Sequence, residues 1–345
     1  VTFGNLKVLN LASITNDGKL TLGTGEFKDI TINSGSADIT SLKSTGDANL
    51  TTAGALTLGT GEFKDITINS DSADITSLKS TGDANLTTTG ALTLGTGDFV
   101  GVTISSGSAD ITNVKATGEA NLTTTGALTL GTGDFAKVTM TSNNGSVGVS
   151  NLTSSNNVAI NSNNGNTTLG TLNVDGTFGV VTKNLEITTG MDVGGKVTIT
   201  ATGDINISPD VIFSDLEISA NKLTYKNLTV NGTADITVTI DFTANDVTIN
   251  NLNNLSANNI TINNLTVKND ANIVTKGLFK TETATVSGNL TKLETNNAEI
   301  GSLTVTKDAN IKATGKITAN TIDVSGNLSK LETNNAEIGS LTVGN

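Results

Sequence analysis

The sequence predicts an all-β fold, a right-handed parallel β-helix (β-solenoid) with about 18–19 residues per coil. Three observations lead to this prediction. Long segments recur at fixed spacings, and pairs of apolar residues recur at half of those spacings. Gly, Asn, Asp and Ser fill the gaps between the pairs, as tight turns require, and no helical apolar period survives.

The long repeat is visible in the sequence itself. The segment LTLGTGEFKDITINS begins at Leu20 and again at Leu56, 36 residues later. Near the other end, GNLTKLETNNAEIGSLTV begins at Gly288 and returns with one change at Gly326, 38 residues later. Repeats of this length indicate stacked structural units.

Each long repeat divides into two coils. In the first part of the chain, apolar pairs with one polar residue between them recur at every eighteenth position: Ile30/Ile32, Ala48/Leu50, Ile66/Ile68, Ala84/Leu86, Val102/Ile104, Ala120/Leu122 and Val138/Met140. A second series of pairs begins at Leu20, and a third series runs Phe27, Leu42, Phe63 and onward. These series predict three strands of three to five residues per coil. Each strand would stack on its counterpart about 4.8 Å away, and the usual crossover preference predicts the right hand.

The regularity of the repeat differs along the chain. Residues 1–141 and 228–345 are predicted to be regular solenoid, and residues 142–227, which contain the only proline (Pro209), to be less regular, with a possible bend or protrusion. We expect one continuous rod about 90 Å long, since stacked coils lie about 4.8 Å apart. Both ends are coils without a polar cap, which are open edges for another chain. No initiator Met or leader is visible, so we expect a segment of a longer protein.

Composition and charge argue against several classes of function. The 345 residues include 62 Thr, 44 Asn and 37 Gly, but no His, Cys, Arg or Trp. Disulfide, thiolate and imidazole chemistry are therefore excluded. A net charge of −12 without Arg argues against nucleic-acid binding, and no apolar run is long enough to span a membrane. A catalytic β-helix needs a cluster of acid and base groups, and none stands out from the repeat, so we predict no enzyme.

One recurring segment resembles a known family. GDANLTTTGALTL from Gly82 is similar to the repeats of filamentous haemagglutinin-like exoproteins, which are large Gram-negative adhesins exported by two-partner secretion. The match recurs at Gly46 and Gly118, and more loosely at Gly203 and Lys307. The resemblance implies a right-handed β-helix, export through an outer-membrane transporter and an extracellular location on the bacterial surface. It also implies a receptor or glycan on a host or bacterial cell as partner.

These observations predict a structural shaft of a secreted adhesin that mediates attachment or cell-cell contact without a cofactor. The alternative is a self-assembling extracellular filament or biofilm-matrix subunit, joined end to end through uncapped coils. Two minor alternatives are a carbohydrate-active β-helix and an ice-binding solenoid. The outward positions Thr31, Asn49 and Thr67 alternate, whereas an ice-binding face would present Thr alone.

A row of aspartates is a candidate cation site. Asp29, Asp47, Asp65 and Asp83 recur at every eighteenth position, each just before a predicted strand. In a solenoid these carboxylates would stack about 4.8 Å apart. Weak Ca²⁺ binding is one interpretation, because Ca²⁺ accepts several carboxylate oxygens. We favour the other interpretation, a solvated row of turn aspartates.

Three asparagines are candidates for glycosylation. Asn49, Asn85 and Asn121 each begin an Asn-Leu-Thr signal and should point outward between two core residues. Asn-Leu-Thr is also a common tripeptide in strands of this composition, without any link to glycosylation.

The glycine-rich segments such as GTGEF from Gly23 lack the Lys and the following helix of a phosphate loop, so we predict that they are turns.

Overall fold

The computed structural model is all-β, with 84% of its residues in strands and no helix among the described residues, 1–344. Its strands pair in parallel and wind into a β-solenoid of about 17 turns, with about 19 residues per coil. The predicted fold class is confirmed. The chain divides into two compact units, Val1–Gly176 and Thr177–Asn345. Asn345, the last residue of the predicted third region, lies outside the described residues.

The first unit contains strands β1 to β12. They are β1 (Thr2–Ser44), β2 (Asp47–Thr52), β3 (Ala55–Phe63), β4 (Asp65–Ser70), β5 (Ser72–Ser80), β6 (Asp83–Thr88), β7 (Ala91–Phe99), β8 (Gly101–Ser106), β9 (Ser108–Thr124), β10 (Leu128–Ser142), β11 (Val147–Ser154) and β12 (Val158–Val174). The prediction of three to five residues per strand was wrong. The backbone stays extended around many corners, so one strand spans more than one face of the coil.

The second unit contains strands β13 to β26. They are β13 (Phe178–Ala201), β14 (Asp204–Ile207), β15 (Val211–Ala220), β16 (Lys222–Val238), β17 (Asp241–Ala257), β18 (Asn259–Val267), β19 (Ala271–Thr275), β20 (Leu278–Val286), β21 (Leu290–Thr295), β22 (Asn297–Val305), β23 (Ala309–Ala313), β24 (Lys316–Val324), β25 (Leu328–Glu332) and β26 (Asn335–Val343). Each pairs in parallel with the strand one coil away, for example β18 with β20 and β20 with β22.

The predicted apolar pairs form the core of the first unit. Ala48 pairs with Ile30 on one side and with Ile66 on the other, so the spacing of the apolar pairs in the sequence is the spacing of the hydrogen-bonded coils. These side chains are almost completely buried, at 1% exposure each. Because side chains alternate along a strand, the residues between them face solvent. The core is therefore a set of apolar columns that run from coil to coil.

Coil length changes along the chain. Near the end of the first unit, Val147 pairs with Thr167, so this coil is slightly longer than the average of about 19 residues. In the second unit, Leu223 pairs with Phe242 and Phe242 with Ile260, so two successive coils differ in length by a single residue. Bulges in the pairing, such as that between Val193 and Lys196, absorb the additional residues.

The third predicted apolar series is two columns rather than one. Leu42 pairs with Gly61 and Gly61 with Leu78, whereas Phe63 pairs with Ser80. Alternate coils thus carry Leu followed by Ser, or Gly followed by Phe. A Cβ on Gly61 would lie 2.5 Å from the Phe63 ring and 2.8 Å from Leu78. Gly61 leaves the space that the aromatic ring fills, so the two residues are complementary in size.

The glycine-rich segments are strands and not the predicted turns. Gly59 and Gly61 both lie in β3, and no described residue, glycine included, has a positive φ. Gly59 is at a corner, where a Cβ would overlap the carbonyl oxygen of Thr40 in the preceding coil. Glycine is used here for close approach between coils, which sequence alone does not distinguish from a turn.

Candidate interaction surface

The outward residues of the first unit form rows that run from coil to coil. Parallel, in-register pairing brings equivalent residues of successive coils within about 4.8 Å of each other. Three of these rows carry side chains that could bind an ion, a glycan or a partner protein. We call them the Asp row (Asp29, Asp47, Asp65 and Asp83), the Thr/Asn row (Thr31, Asn49, Thr67, Asn85, Thr103, Asn121 and Thr139) and the charge row (Lys7, Glu26, Lys43, Glu62, Lys79, Asp98, Lys115 and Asp134).

The Asp row lies at a corner of the coils. Asp29 Oδ1 accepts a hydrogen bond from the backbone N–H of Asp47 at 2.9 Å, and Asp65 Oδ1 accepts one from Asp83 at 2.9 Å. Carboxylates in alternate coils therefore cap an amide of the next coil. No group of three or more His, Cys, Asp or Glu side chains that could hold a metal ion occurs among residues 1–344. The two interpretations of this row, the favoured solvated row of turn aspartates and weak Ca²⁺ binding, both stay untested.

A glycine precedes both of these capped amides because the carboxylate leaves no room for a side chain. A Cβ on Gly46 would overlap Asp29 Oδ1, and a Cβ on Gly82 would overlap Asp65 Oδ1. The same arrangement, with an Asp or Asn oxygen over a glycine of the next coil, recurs in the second unit at Gly203, Gly232, Gly277, Gly288, Gly315 and Gly326. This contact gives a physical reason for the glycine at the head of the recurring segment.

The residues of the Thr/Asn row alternate with buried residues and face outward, as predicted, and each is exposed or half-buried. Strand pairing places Asn49 between Thr31 and Thr67, and Asn85 between Thr67 and Thr103. Asn49 and Asn85 are exposed, and Asn121 is half-buried. Their side-chain amides make no hydrogen bond to other described residues. The three amides are thus free of intrachain partners and recur at every second coil.

Asparagines in the same signal elsewhere are engaged with neighbouring coils. Asn264 Nδ2 donates to Asp246 Oδ1 at 2.7 Å, and Asn264 Oδ1 accepts a hydrogen bond from Thr283 at 2.6 Å. Asn289 Nδ2 donates to Asp270 Oδ1 at 3.0 Å. These amides stabilise the stacking of coils in the second unit. The sequence signal alone does not separate them from the free amides of the first unit.

The charge row was not predicted from the sequence. Strand pairing places Glu62 between Lys43 and Lys79, and Asp98 between Lys79 and Lys115. Lysines and acids therefore alternate coil by coil along this face. The signal was present in the regular recurrence of Lys43, Lys79 and Lys115 at the period of the long repeat, but the coil-to-coil register was needed to place the acids between them.

Neighbours in the charge row form ion pairs. The Nζ–carboxylate distances are 2.6 Å for Lys7–Glu26, 2.9 Å for Lys43–Glu62, and 3.7 Å for both Lys79–Asp98 and Lys115–Asp134. The hydrogen bond from Lys43 holds the pKa of Glu62 below its usual value, and the same bond raises the pKa of Lys43. A hydrogen bond from Lys7 likewise lowers the pKa of Glu26. All of these groups are exposed, where single ion pairs contribute little stability.

Tyr225 is a buried titratable group. It is 3% exposed, its hydroxyl has no hydrogen-bond partner among the described residues, and burial raises the pKa of its phenol. The carboxylates with shifted pKa values are at the surface beside lysines, as in Glu294 beside Lys292. Glu26 and Lys43 line one surface pocket, and Lys43 and Glu62 line another. The absence of enzymatic activity stays a prediction.

The comparisons with known proteins concern the repeat. Residues 155–209, which include β12 and β14, match a family model described as repeats of unknown function (DUF5649). The chain is a repeat β-solenoid protein. Neither a curated protein nor a solved structure matches it. None of the described residues forms a helix long and apolar enough to cross a membrane.

Proposed function

We propose that this chain is the structural shaft of a secreted bacterial surface adhesin, which mediates attachment or cell-cell contact without catalysis. The observation that carries the proposal is the strict repetition of the coil. The same buried pair and the same outward polar residues recur from Ile30 and Thr31 to Met140 and Thr139. A surface that repeats every two coils presents the same outward residues at many positions along the stack. Such a surface suits a shaft that holds a binding region away from the cell.

The hydrogen-bonding pattern supports a load-bearing role. Each strand of an inner coil is hydrogen-bonded to the coil before and the coil after, as β4 is to β2 and β6. The stability of such a stack is a sum of coil stabilities and nearest-neighbour terms. To separate two coils, the backbone hydrogen bonds that join them must break. A stack of this kind resists bending and extension more than a flexible linker does.

Location and partners follow in this proposal from the recurring segment at Gly46, Gly82 and Gly118. Its resemblance to exported adhesins supports an extracellular location, export through an outer-membrane transporter, and a surface receptor or glycan as partner. Gly46 and Gly82 of that segment make room for the corner caps described above, so these glycines belong to the architecture and not to receptor recognition. Receptor contacts are therefore expected on the outward rows.

Glycosylation of Asn49, Asn85 and Asn121 is part of the proposal. Their amides point outward and have no intrachain hydrogen bond, and they are about 10 Å apart along the row because two coils separate them. Mass spectrometry of the protein from its native cells should find glycan on these asparagines, and the Asn49→Gln variant should lose it at that position. Asn264, which is hydrogen-bonded on both sides, is the matched control and should remain unmodified. Unmodified Asn49, Asn85 and Asn121 would contradict this part of the proposal.

Electron microscopy of the purified chain over a range of concentrations tests the shaft. A shaft gives single elongated particles at every concentration. Fibres that lengthen with concentration would support the end-to-end filament instead. Compact round particles would contradict both.

Cell binding tests the adhesin role. Beads coated with the folded chain should bind bacterial or host cells more than beads coated with the heat-unfolded chain do. Soluble chain should compete with the beads. Equal binding of both bead types would contradict an adhesive role for this chain.

A further inference from the structure

We propose that two copies of this chain pair side by side, in antiparallel directions, through the charge row of the first unit. The partner is a second copy because the row is complementary in charge to its own reverse. This inference is separate from the proposed receptor contacts and concerns how shafts associate with one another.

The charge row is long, regular and available. Its eight side chains belong to consecutive coils, and each is between 50% and 65% exposed. The signs alternate without interruption, from Lys7 to Asp134. Each charge forms an exposed ion pair with a neighbour on one side, so donors and carboxylate oxygens remain for a second partner.

Stacking within one chain does not by itself require the alternation. The Asp row places four carboxylates in consecutive coils at a neighbouring corner, and Asp47 is paired directly with Asp65. A flanking lysine is enough there, since Lys64 lies 3.4 Å from Asp65. This chain therefore tolerates like charges one coil apart. Strict alternation in the charge row needs a further reason.

The sign of each charge is kept even where the intrachain pair becomes poorer. Glu26 and Glu62 approach their lysines to 2.6 and 2.9 Å, whereas the shorter Asp98 and Asp134 remain at 3.7 Å. Across the four repeats, side-chain length varies and the sign does not. This pattern is expected if the sign of each charge matters for contact with a second copy of the chain.

Parity makes the row complementary to itself. Numbered along the stack, the odd positions are Lys and the even positions are acids, and there are eight positions. In an antiparallel pair about a two-fold axis, the first position faces the eighth and the fourth faces the fifth, so every Lys faces an acid. Such an interface is isologous, as expected of a two-fold dimer. Glu62 of one copy lies opposite Lys79 of the other.

One flank of the charge row allows close approach. The residues two places before the charge row carry small side chains: Ser41, Thr60, Ser77, Thr96, Asn113 and Thr132. Two of their hydroxyl pairs, Ser41–Thr60 and Ser77–Thr96, are hydrogen-bonded within the chain at 3.0 Å. The lysines and acids of the charge row are thus longer than the side chains on this flank, whereas the other flank carries the exposed Lys28 and Lys64. Complementary charge of this kind sets register and direction.

Cross-linking tests the direction of pairing. The chain has no Cys, so Ser41→Cys and Thr96→Cys each introduce a single thiol. These positions belong to the third and sixth coils of the row, which face each other in the proposed pair. A short bismaleimide should cross-link a mixture of the two variants at low ionic strength and should fail with either variant alone. Cross-linking of Ser41→Cys alone would indicate parallel pairing and overturn the proposal.

Charge inversion tests the row itself. A variant with all eight signs reversed (Lys7, Lys43, Lys79 and Lys115 to Glu; Glu26, Glu62, Asp98 and Asp134 to Lys) keeps the alternation and the intrachain pairs. Sedimentation should show that the variant pairs with itself as wild type does, and that mixed pairs are at least tenfold rarer. High salt should dissociate both homodimers, because it screens the charges that hold them together. Free mixing of the two proteins, or no dimer of wild type at low ionic strength, would overturn the proposal; if the variant does not fold, the cross-linking of the two thiol variants decides alone.

Discussion

At the corners of the coils, a glycine and an Asp or Asn of the preceding coil share one small space. Asp65 lies over Gly82 and accepts the N–H of Asp83 at 2.9 Å. The carboxylate satisfies an amide that the ladder leaves at the corner, and the missing side chain makes this possible. The contributions of Asp65 and Gly82 to the free energy of unfolding should therefore be coupled.

We predict that Gly82→Ala lowers the free energy of unfolding by about 1–3 kcal/mol, the usual cost of overpacking. Gly148→Ala is the matched control, because nothing lies within 4 Å of its Cβ position. That change should be neutral or slightly stabilising. Chemical denaturation of both variants checks the prediction. On an Asp65→Ala background the cost of Gly82→Ala should shrink, and an unchanged cost would show that the carboxylate is not its cause.

The phenylalanines of the first unit are the largest side chains of its core. Phe63 is 4% exposed, and its ring fills the space above Gly61. We predict that Phe63→Ala lowers the free energy of unfolding by about 3–5 kcal/mol, because it leaves a cavity. Val100→Ala is the control, since Val100 is 45% exposed. Similar losses for the two variants would contradict the assigned packing.

At the scale of the element, the strand pairing sets which charges meet. Glu62 has a lowered folded-state pKa, with a usual value of 4.5, because Lys43 donates a hydrogen bond to it. Such a carboxylate contributes stability above its unfolded pKa and loses this contribution as the pH falls through the folded pKa. The stability difference between wild type and Glu62→Gln should therefore be present at neutral pH, small in size, and absent in strong acid.

Denaturant titrations across that pH range measure the difference. High salt at neutral pH should also reduce it, because the pair is exposed. Asp98→Asn is a useful comparison, since the Lys79–Asp98 distance is 3.7 Å and its effect should be smaller. A difference that grows as the pH falls would contradict the assigned pair.

At the scale of the whole molecule, two coils and not one are the repeating unit. Leu opposes Gly and Lys opposes acid in each adjacent pair of coils. Removal of residues 56–91 joins Ala55 to Leu92 and leaves this alternation intact. Removal of residues 56–72 joins Ala55 to Ala73 and places Leu78 against Leu42 and Lys79 against Lys43.

We predict that the two-coil deletion folds with a thermal midpoint close to that of wild type, whereas the one-coil deletion unfolds at a clearly lower temperature. The stability of a stack depends on its nearest-neighbour interfaces, and only the one-coil deletion creates a wrong one. Circular dichroism during heating measures both midpoints. Equal midpoints would mean that the coils are interchangeable.

Three features were predicted correctly from the order of the residues: the fold class, the coil length and which residues of each strand face inward. These are properties of alternation and period, which the order of residues shows directly. Ala48 and Leu50 were placed in the core and Asn49 outside it for this reason alone. The type of side chain at each candidate position was also known from the sequence. Whether that side chain is hydrogen-bonded to a neighbouring coil was not.

Which residue of one coil faces which residue of the next becomes visible only once the chain is folded. The corners take up unequal numbers of residues, so the step from Leu42 to Gly61 is longer than the step from Gly61 to Leu78. The predicted third series therefore joined Phe and Leu residues of two different columns, and the charge row was missed. The capping of Asp83 by Asp65 is likewise a contact between successive coils. Local patterns specify the face of a residue, but neighbours across coils depend on how the corners are built.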